Sequence, residues 1–591
     1  MIVLKCKDVF FTFLRSIQKM MIVIYTVFTI QFIHKSSYNN IWRQNEMKKD
    51  FKKSIIMITV LSLIGGSLIG CGAKKQVDTP KNAAAPSNGN AKVSYPIKTD
   101  ATLSYWSPLA SNLAQQFQTF GDSPVAKELE KKTGVKIKWI HPAVGQEKDQ
   151  FNILLASGEY PDMIEYDWIS KYPGGPDKAL ADKVIIKLND QIQKNAPNLK
   201  KLLESQKDLD KMVKTDSNAY YVFPMVRQND EQMVYAGPMV RKDWLDDLKL
   251  SVPETIDEWY TVLKAFKEQK GATAPMIIRN YSTGPNFYEA FFGAYNLSFD
   301  QINGWFIDDN GKVQYSALQP QLKDAFTTLN KWVKEGLLDK DFPLADQKSL
   351  DEKMLNGKAG AAVYLGGGGL NKWQQSVPSK DPKFNLVAAP YPVLKKGDVA
   401  FSGQRDANYN SEYSTVITTA CKNPDIAAQW LDYGYSTEGA AIYNMGVEGD
   451  SYTMIDGVAH YTDKVMKNTE GKDFTTMQVR YQKANGPYIQ STDLLKDFNR
   501  PSNFVSYKVW SKTGAIKHKL PKFLSFTDEE NSQIIKIKND LTNYNNEMLV
   551  KFIMGQEPLT NFDKYVEQCK KLGAEKAITI YTAALERYNK R

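Results

Sequence analysis

Apolar and polar positions alternate in a regular order after residue 100. Three short apolar runs with strand character are separated by two stretches with helical periodicity, at residues 101–106, 112–132, 135–140, 147–156 and 162–166. Strands that alternate with helices along a chain usually pair in parallel and are covered by those helices. The pattern therefore predicts an α/β fold built on a parallel sheet.

Aromatic residues stand where two of these predicted strands end. Trp106 ends the first strand, Tyr166 ends the third, and Trp168 follows two positions later. Ligands of such sheets gather outside the carboxyl ends of the strands. We expect the three side chains at that rim, where a ligand could stack on them, although each could equally cap the core.

Two later segments have clear helical patterns. Thr255 and Glu258 form a capping box ahead of apolar positions with helical spacing, which predicts a helix that packs on a core. Cys569 falls on the apolar face of a helix predicted over residues 562–572, so we interpret it as a core residue.

The stretch before Cys71 has the three parts of a signal peptide. Lysines at 48–53 precede an apolar segment at 55–69, which is shorter than the roughly 20 residues of a membrane-spanning helix. The order Leu-Ile-Gly-Cys at 68–71 resembles the bacterial lipobox. It implies cleavage before Cys71 and attachment of diacylglycerol to its thiol; the alternative is a buried cysteine in a core helix.

The flanking segments complete this organisation. We interpret residues 1–46 as an over-long N-terminal extension, with residues 47–70 as the signal peptide beginning at Met47; a real membrane segment at 20–33 is the alternative. Residues 71–98 carry the lipidated cysteine and a tether poor in large apolar residues. Such a tether reaches roughly 30 Å.

The charge balance bears on nucleic acid as a partner, and the cysteine content bears on disulfides. Residues 1–70 contain ten of the 76 basic and three of the 66 acidic residues, which leaves 66 against 63, a net charge of about +3, in the rest of the chain. This balance gives no reason to expect nucleic acid as a partner. A disulfide between Cys421 and Cys569 is possible but not required by the sequence.

Several other kinds of site lack their sequence pattern. The glycines at 366–369 form an open loop without the ending of a phosphate loop, and His141, His460 and His518 have no metal-ligand spacing. "DDNG" at 308–311 fits a type I′ hairpin turn better than a calcium loop. We expect no metal and no cofactor. The 63 acidic residues leave a glycosidase-type carboxylate pair open, without a nucleophile motif.

Five segments in order resemble the extracellular solute-binding proteins of sugar-type ABC importers, in the large lipoprotein branch related to the alginate-oligosaccharide binders. They are "ASGEYPDMIEYD" (156–167), "RKDWLDDLKLSVPETIDEW" (241–259), "MLNGKAGAAVY" (354–364), "NPDIAAQWLDYGYSTEGAAIYNMGVEGDSY" (423–452) and "FIMGQEPLTNFDKYVEQCKKLG" (552–573). The resemblance spans the chain from Cys71 onward. It implies a two-lobed, hinged fold of type II, each lobe a mixed sheet flanked by helices. By analogy the first lobe holds 97–223 and 388–445, and the second holds 224–387 and 446–591.

The resemblance and the chemistry of sugars together select further ligand-binding candidates. Sugar rings present apolar C–H faces to aromatic rings, and their hydroxyls bond to charged or amide groups. Trp305 resembles a tryptophan that stacks on sugar in relatives. Glu448 and Tyr452 flank glycines in a segment that borders the ligand in the family.

Three more candidates follow from their local sequence. Tyr364 ends a predicted strand, and Trp373 follows the glycine loop. Arg405 could pair with an acidic or hydroxyl-rich ligand. For each of these six residues the alternative is an ordinary core or surface position.

The function implied is capture of an oligosaccharide or related polar solute by a monomer anchored on the outer face of the cell membrane. The solute then passes to an ABC permease and its ATPase, which are separate chains, and no catalysis is expected. A carbohydrate-active enzyme and a ligand-sensing partner of a membrane kinase are the alternatives.

Overall fold

The structure, a computed structural model, describes residues 93–279, 287–298, 304–376, 381–467, 470–471, 474–491 and 501–591. Cys71, the N-terminal extension, the signal peptide and most of the tether lie outside these ranges. Within them, no helix has both the length and the apolar character needed to span a bilayer.

The strands of the described residues fall into two larger sheets and two hairpins. They are β1 (Thr102–Trp106), β2 (Lys136–Ile140), β3 (Met163–Tyr166), β4 (Phe223–Arg227), β5 (Ala236–Arg241), β6 (Met276–Ile278), β7 (Trp305–Ile307), β8 (Val313–Tyr315), β9 (Ala361–Leu365), β10 (Leu386–Ala388), β11 (Tyr409–Ile417), β12 (Tyr452–Ile455), β13 (Val458–Tyr461) and β14 (Ile489–Gln490).

Helices pack around these sheets. They are α1 (Ser111–Ala114), α2 (Pro124–Thr133), α3 (Glu147–Ser157), α4 (Gly175–Ala181), α5 (Asn189–Asn195), α6 (Pro197–Ser205), α7 (Lys207–Met212), α8 (Lys242–Leu248), α9 (Ile256–Lys270), α10 (Gln321–Lys334), α11 (Gln347–Leu355), α12 (Lys372–Ser376), α13 (Pro424–Asp432), α14 (Thr437–Met445), α15 (Asp463–Met466), α16 (Phe474–Arg480), α17 (Pro501–Trp510), α18 (Ala515–His518), α19 (Asp528–Met554), α20 (Phe562–Lys571) and α21 (Ala574–Asn589).

The first sheet has six strands in the order β14-β4-β11-β3-β1-β2. β1 pairs in parallel with both β2 and β3, which confirms the predicted parallel arrangement. β11 is antiparallel to both β3 and β4, so the sheet is mixed. We call this sheet and its helices the first lobe.

The single helix predicted over 112–132 is wrong, because the segment forms two helices, α1 and α2. Pro124 fixes where α2 begins, because a residue before proline avoids the helical region, and Ser123 is extended, with ψ 152°. The Ser123 hydroxyl instead caps α2 by accepting a hydrogen bond from the Ala126 backbone N–H.

The second sheet has four strands in the order β10-β5-β9-β6, and with its helices it forms the second lobe. The capping box predicted at Thr255 and Glu258 is confirmed at the start of α9. The lobe boundaries stay a prediction; the first sheet takes in most of β4 and all of β14, which lie outside the ranges predicted for the first lobe.

The predicted hairpin turn at 308–311 joins β7 to β8, but its predicted type is wrong. A type I′ turn needs two central residues with positive φ, and within this turn only Gly311, at 75°, has one. The Asp308 carboxylate instead accepts hydrogen bonds from the backbone N–H groups of Asn310 and Lys312, both at 2.9 Å. These bonds hold a three-residue loop that ends in a left-handed glycine.

Candidate functional site

Segments of the chain cross from the carboxyl edge of the first sheet to the carboxyl edge of the second. β4 runs parallel to β3, since both are antiparallel to β11, and it ends at Arg227. After residues 228–235 the chain enters β5 at Ala236, which lies opposite Leu365 at the end of β9. This first crossing segment therefore leads from the carboxyl edge of one sheet to that of the other.

A second crossing connects the same two edges. β10 is antiparallel to β5 and so runs parallel to β9. The chain leaves β10 at Ala388 and enters β11 at Tyr409, opposite Val226 near the end of β4. Helix α17, which follows β14 in the chain, also packs on β5 and β10. The carboxyl edges, where α/β folds bind ligands, therefore face one cleft floored by crossing segments.

An open depression of about 560 Å³, which we call the cavity, lies at this floor. It falls within the roughly 300–1,000 Å³ typical of small-molecule sites. Carboxylates, ammonium groups, amides and a hydroxyl line it, from Gln228, Asn229, Asp230, Glu231, Lys508, Ser511 and Lys512. Such a mixture of donors and acceptors suits a ligand rich in hydroxyl groups.

Close packing against glycines holds α17 at the cavity. The indole of Trp510 covers Gly237, where a Cβ atom would stand 2.5 Å from the ring, and its Nε1–H donates to the Pro238 carbonyl at 2.8 Å. Tyr507 covers Gly366 in the same way, at 2.6 Å. Any larger residue at either glycine would displace the helix that carries Lys508 and leads to Lys512.

Arg405 lies beside this cavity. Its guanidinium is buried and donates to the Asp230 carboxylate at 2.8 Å. Its backbone carbonyl accepts a hydrogen bond from the Lys519 ammonium group. The predicted ligand contact at Arg405 stays a prediction, and in this structure the side chain holds a cavity-lining carboxylate in place.

The aromatic residues predicted at the first edge pack around Phe151 of α3. Ring centroids of Trp106, Tyr166 and Trp168 lie 6.0, 4.7 and 5.4 Å from that of Phe151. All three are at most 9% exposed, and the Trp168 indole N–H has no hydrogen-bond partner among the described residues. Stacking of ligand on them stays a prediction, and their present contacts are with each other.

His141 follows β2 and bridges two loops of the first edge. Its Nδ1–H donates to the Ser107 carbonyl at 2.7 Å, and its Nε2 accepts from the Phe120 backbone N–H at 3.1 Å. These partners require the neutral ring with its proton on Nδ1. Burial lowers the pKa of His141, and the nearby Lys483 ammonium group acts in the same direction.

A buried ion pair lies beneath the same edge. Lys483 donates to the Glu165 carboxylate at 2.7 Å, and both side chains are almost completely buried. The Tyr105 hydroxyl donates to the same carboxylate oxygen at 2.7 Å. Burial lowers the pKa of Lys483. Lys483, Ser107 and His141 line a small cavity of about 20 Å³, room for one water.

At the carboxyl edge of the second sheet, which we call the second edge, side chains form a series of hydrogen bonds. The Tyr364 hydroxyl accepts from Arg279 at 3.0 Å and donates to Gln347. Asp351 accepts from the Gln347 amide at 2.7 Å and from the Trp373 indole N–H at 2.8 Å. The rings of Tyr364 and Trp373, both buried, stack with centroids 5.7 Å apart.

The open glycine loop predicted at 366–369 is wrong, because Gly366–Asn371 form a turn of π-helix. Glycine is needed there for close packing: a Cβ atom on Gly369 would stand 2.7 Å from the Tyr364 ring. The turn therefore packs against the second edge.

The remaining candidates lie at two separate places. Trp305 is buried between Tyr315 and Tyr581, with centroid distances of 4.1 and 4.8 Å. Tyr452 is buried in a small separate core, and Glu448 nearby is exposed. Ligand contact at these positions stays a prediction.

The structure thus groups the candidates as the Phe151 cluster, the Tyr364–Trp373 pair, the Glu448–Tyr452 pair, Arg405 at the cavity, and Trp305 alone. Sequence reasoning missed the cavity lining and Arg279. Arg279 directly follows the apolar run of β6, so the strand-end rule that selected Trp106 would have found it. Lys508 and Lys512, one helical turn apart, carry no comparable signal.

No group of three or more His, Cys, Asp or Glu side chains in the described ranges is arranged to hold a metal ion. Cys421 and Cys569 are both free thiols, so the disulfide left open by the sequence is absent from this structure. Cys569 is buried on α20, as expected of a core residue.

Residues 114–441 match the family described as bacterial extracellular solute-binding protein. The chain is 23% identical over 572 residues to the fructooligosaccharide ABC transporter substrate-binding protein FusA of Streptococcus pneumoniae, covering 91% of this chain and 98% of FusA. It is 29% identical over 365 residues to the lipoprotein LipO of Bacillus subtilis, covering 58% of this chain and 67% of LipO.

Among solved structures, the alginate-binding protein AlgQ2 without calcium ion has a TM-score of 0.60 and 24% identity, covering 84% of this chain and 99% of AlgQ2. This similarity shows the two-lobed fold, and FusA and AlgQ2 are both named as binding proteins. Since the family match covers more than half of its length, the chain belongs to the bacterial extracellular solute-binding proteins.

Proposed function

We propose that this protein captures an oligosaccharide between its lobes outside the cell and delivers it, as a monomer, to an ABC permease driven by a separate ATPase. The observation that carries the proposal is a polar cavity of about 560 Å³, lined by residues that follow β4 of the first sheet and by residues at the end of α17, which packs on the second sheet. Ligand bound between hinged lobes favours the closed state to the extent that it binds that state better.

The lining supports a sugar rather than an apolar ligand. Gln228, Asn229 and Ser511 offer neutral donors and acceptors, while Glu231 and Lys512 offer charged ones. FusA is named for fructooligosaccharides and AlgQ2 for alginate, one a neutral and the other an acidic sugar polymer. Both kinds therefore belong in the test.

The test is calorimetric titration of residues 72–591 with kestose, with an alginate trisaccharide and with a tripeptide. We expect one sugar to bind, and we expect Gln228→Ala combined with Lys512→Ala to weaken that binding at least about tenfold, or 1.4 kcal/mol. Lys517→Ala is the control, because Lys517 is exposed and pairs with Asp309 outside the cavity. Binding of the tripeptide alone would contradict the proposal.

We further propose that the protein holds its ligand without altering it. Polar side chains of the kind that bind a solute line the described cavity, and FusA and AlgQ2 are named as binding proteins. Chromatography of the bound sugar after prolonged incubation should recover it intact. New reducing ends would instead indicate a glycosidase.

The proposed location is the outer face of the cell membrane, through lipid on Cys71. The lipobox-like order at 68–71 supports this, as does similarity to a protein named as a lipoprotein. Cells expressing the full chain should incorporate radiolabelled palmitate into it, and Cys71→Ser should abolish the label. Equal labelling of the variant would refute the anchor.

A further inference from the structure

Residues 447–488 form a small unit with its own core, which we call the hairpin module. Its described residues carry the β12–β13 hairpin, α15 and α16. Most of their buried apolar side chains form a cluster separate from the main core, comprising Tyr452, Ala459, Tyr461, Val465, Met477 and Tyr481, with Met445 before it. Val479 and Tyr488 belong instead to a second cluster, which includes Leu113 of the first lobe. The module also carries two predicted ligand contacts, Glu448 and Tyr452.

The module rests on the loop that follows β1. The Gln116 amide in that loop donates to the Thr476 carbonyl of α16 at 3.0 Å. Lys483 at the end of the module lines a cavity together with Ser107 and Pro108, directly after β1. The module therefore stands at the carboxyl edge of the first sheet, on the side of the ligand cleft.

A charged contact ties the module to the sheet itself. The Lys483 ammonium group reaches Glu165 in β3, which is completely buried, and it lies 5.7 Å from the centre of the Phe120 ring. Glu165 immediately precedes Tyr166 at the strand end. The other Glu165 oxygen has no hydrogen-bond partner among the described residues.

Such a pair is a poor source of stability. Removing two charges from water is unfavourable, and neutral groups of similar volume often serve the fold equally well. Buried ion pairs do, however, fix one arrangement in some proteins, because a misplaced partner leaves an uncompensated charge. Here that arrangement is the packing of the hairpin module against the carboxyl edge of the first sheet.

We propose that the Lys483–Glu165 pair is a positioning contact that fixes the hairpin module as a wall of the ligand cleft. The inference rests on the proposed function only for the statement that a ligand occupies the cleft. The coupling between module and edge exists in the free protein and can be measured there.

The experiment compares amide hydrogen exchange in residues 72–591 and in the variant Glu165→Gln/Lys483→Met, which removes both charges at nearly constant volume. Several backbone N–H groups after β1 are hydrogen-bonded and report on this loop, among them those of Leu113, Ala114 and Phe117. We expect exchange at residues 107–117 and 476–485 to accelerate about tenfold. The melting temperature and exchange in the second lobe should change little.

Lys464→Met is the matched control. Lys464 pairs with Asp450, and both residues belong to the module, so this change removes a lysine without touching the first sheet. Exchange at residues 107–117 should then stay at the wild-type rate. Unchanged exchange in the double variant would overturn the proposal, and so would acceleration spread evenly over the whole protein.

Titration of both variants with kestose and the alginate trisaccharide adds the functional readout. For whichever sugar the wild type binds, we expect weaker binding in the double variant and none of that loss in Lys464→Met. If the wild type binds neither sugar, the proposed ligand class fails, while the exchange experiment still decides the positioning role.

Discussion

The two carboxyl edges that meet at the crossing segments are built on different principles. The first edge is an aromatic cluster around Phe151, with a buried ion pair beneath it. The second edge is a chain of hydrogen bonds from Arg279 through Tyr364 and Gln347 to Asp351. Both edges contain a buried tryptophan, Trp168 in the first and Trp373 in the second.

The difference shows that aromatic residues near strand ends can have quite different surroundings. Trp168 and Trp373 both follow strands, but one packs in an apolar cluster and the other donates to a carboxylate. The polar surface of the cleft comes instead from crossing segments and α17. The predictions below separate the contributions of the two edges, beginning with the largest effect.

Replacement of Lys483 by Met should have the largest effect on the first edge. It leaves the Glu165 carboxylate buried without its cation, and loss of one partner of a buried pair lowers the free energy of unfolding by about 3–5 kcal/mol. Urea denaturation measures this change. Lys464→Met removes a partly exposed pair and should lower it by less than about 1 kcal/mol. If the free energy of unfolding fell equally in the two variants, the buried pair would contribute no more than the partly exposed one.

The two tryptophans provide a direct comparison of the edges. Trp373→Phe removes an N–H donor from Asp351, whereas Trp168→Phe removes an N–H without a partner among the described residues. Since hydrogen bonds to charged groups contribute about 1.5–3 kcal/mol, Trp373→Phe should lower the free energy of unfolding by that much more. Similar values from urea denaturation of both variants would show that the indole bond to Asp351 contributes nothing.

The packing of α17 on the second sheet can be tested by a substitution at Gly237. A methyl group there collides with the Trp510 ring, so Gly237→Ala should lower the free energy of unfolding by about 1–3 kcal/mol, as overpacking does. Urea denaturation measures it. Gly367→Ala is the control, since a Cβ atom at Gly367 has no neighbour within 4 Å. If Gly367→Ala lowered the free energy of unfolding and Gly237→Ala did not, the contact between Gly237 and Trp510 would not be a tight one.

The smallest effect is the pH dependence contributed by His141. Burial lowers the pKa of this ring in the folded state, so the unfolded chain binds more protons at acid pH. The free energy of unfolding should therefore decrease as the pH falls below about 6.5, and this contribution should be constant above it. Urea denaturation between pH 5 and 8 measures the slope.

The variants of two histidines identify the group responsible. His141→Gln should flatten the slope below about pH 6.5, because the titrating ring is gone. His460→Gln, in the hairpin module, should retain it. If both variants keep the wild-type slope, another group accounts for the acid sensitivity.

Local patterns predicted much of the first sheet and the capping box at Thr255 and Glu258. The strand–helix alternation at 101–166 gave the parallel order of β1, β2 and β3, because each element is specified by its own neighbours. The same local reasoning failed at Pro124, which lies inside the predicted helix but begins a new one, and at Gly366–Asn371, where contacts with Tyr364 and Tyr507 shape the turn. Tyr364 is close to this turn in the sequence, whereas Tyr507 comes from a distant part of the chain.

The cavity lining could not be predicted from local patterns. Asp230 and Lys512 are almost 300 positions apart and carry no shared motif, yet they line one cavity because crossing segments and α17 meet at the same edges. Arg405 was selected for its charge alone. Its pairing with Asp230 depends on how the two crossing segments lie beside each other.

The sequence by itself determined the α/β class, the parallel strands after residue 100 and, through five ordered segments, the resemblance to the family that the matches later showed. The α/β class and the strands follow from periodicity, which acts over a few residues. Only the tertiary structure decided that Trp305 and Trp168 are buried, that Lys483 pairs with Glu165, and that polar residues of the crossing segments form the cleft floor. Such facts depend on contacts between distant parts of the chain, whose energies no local pattern contains.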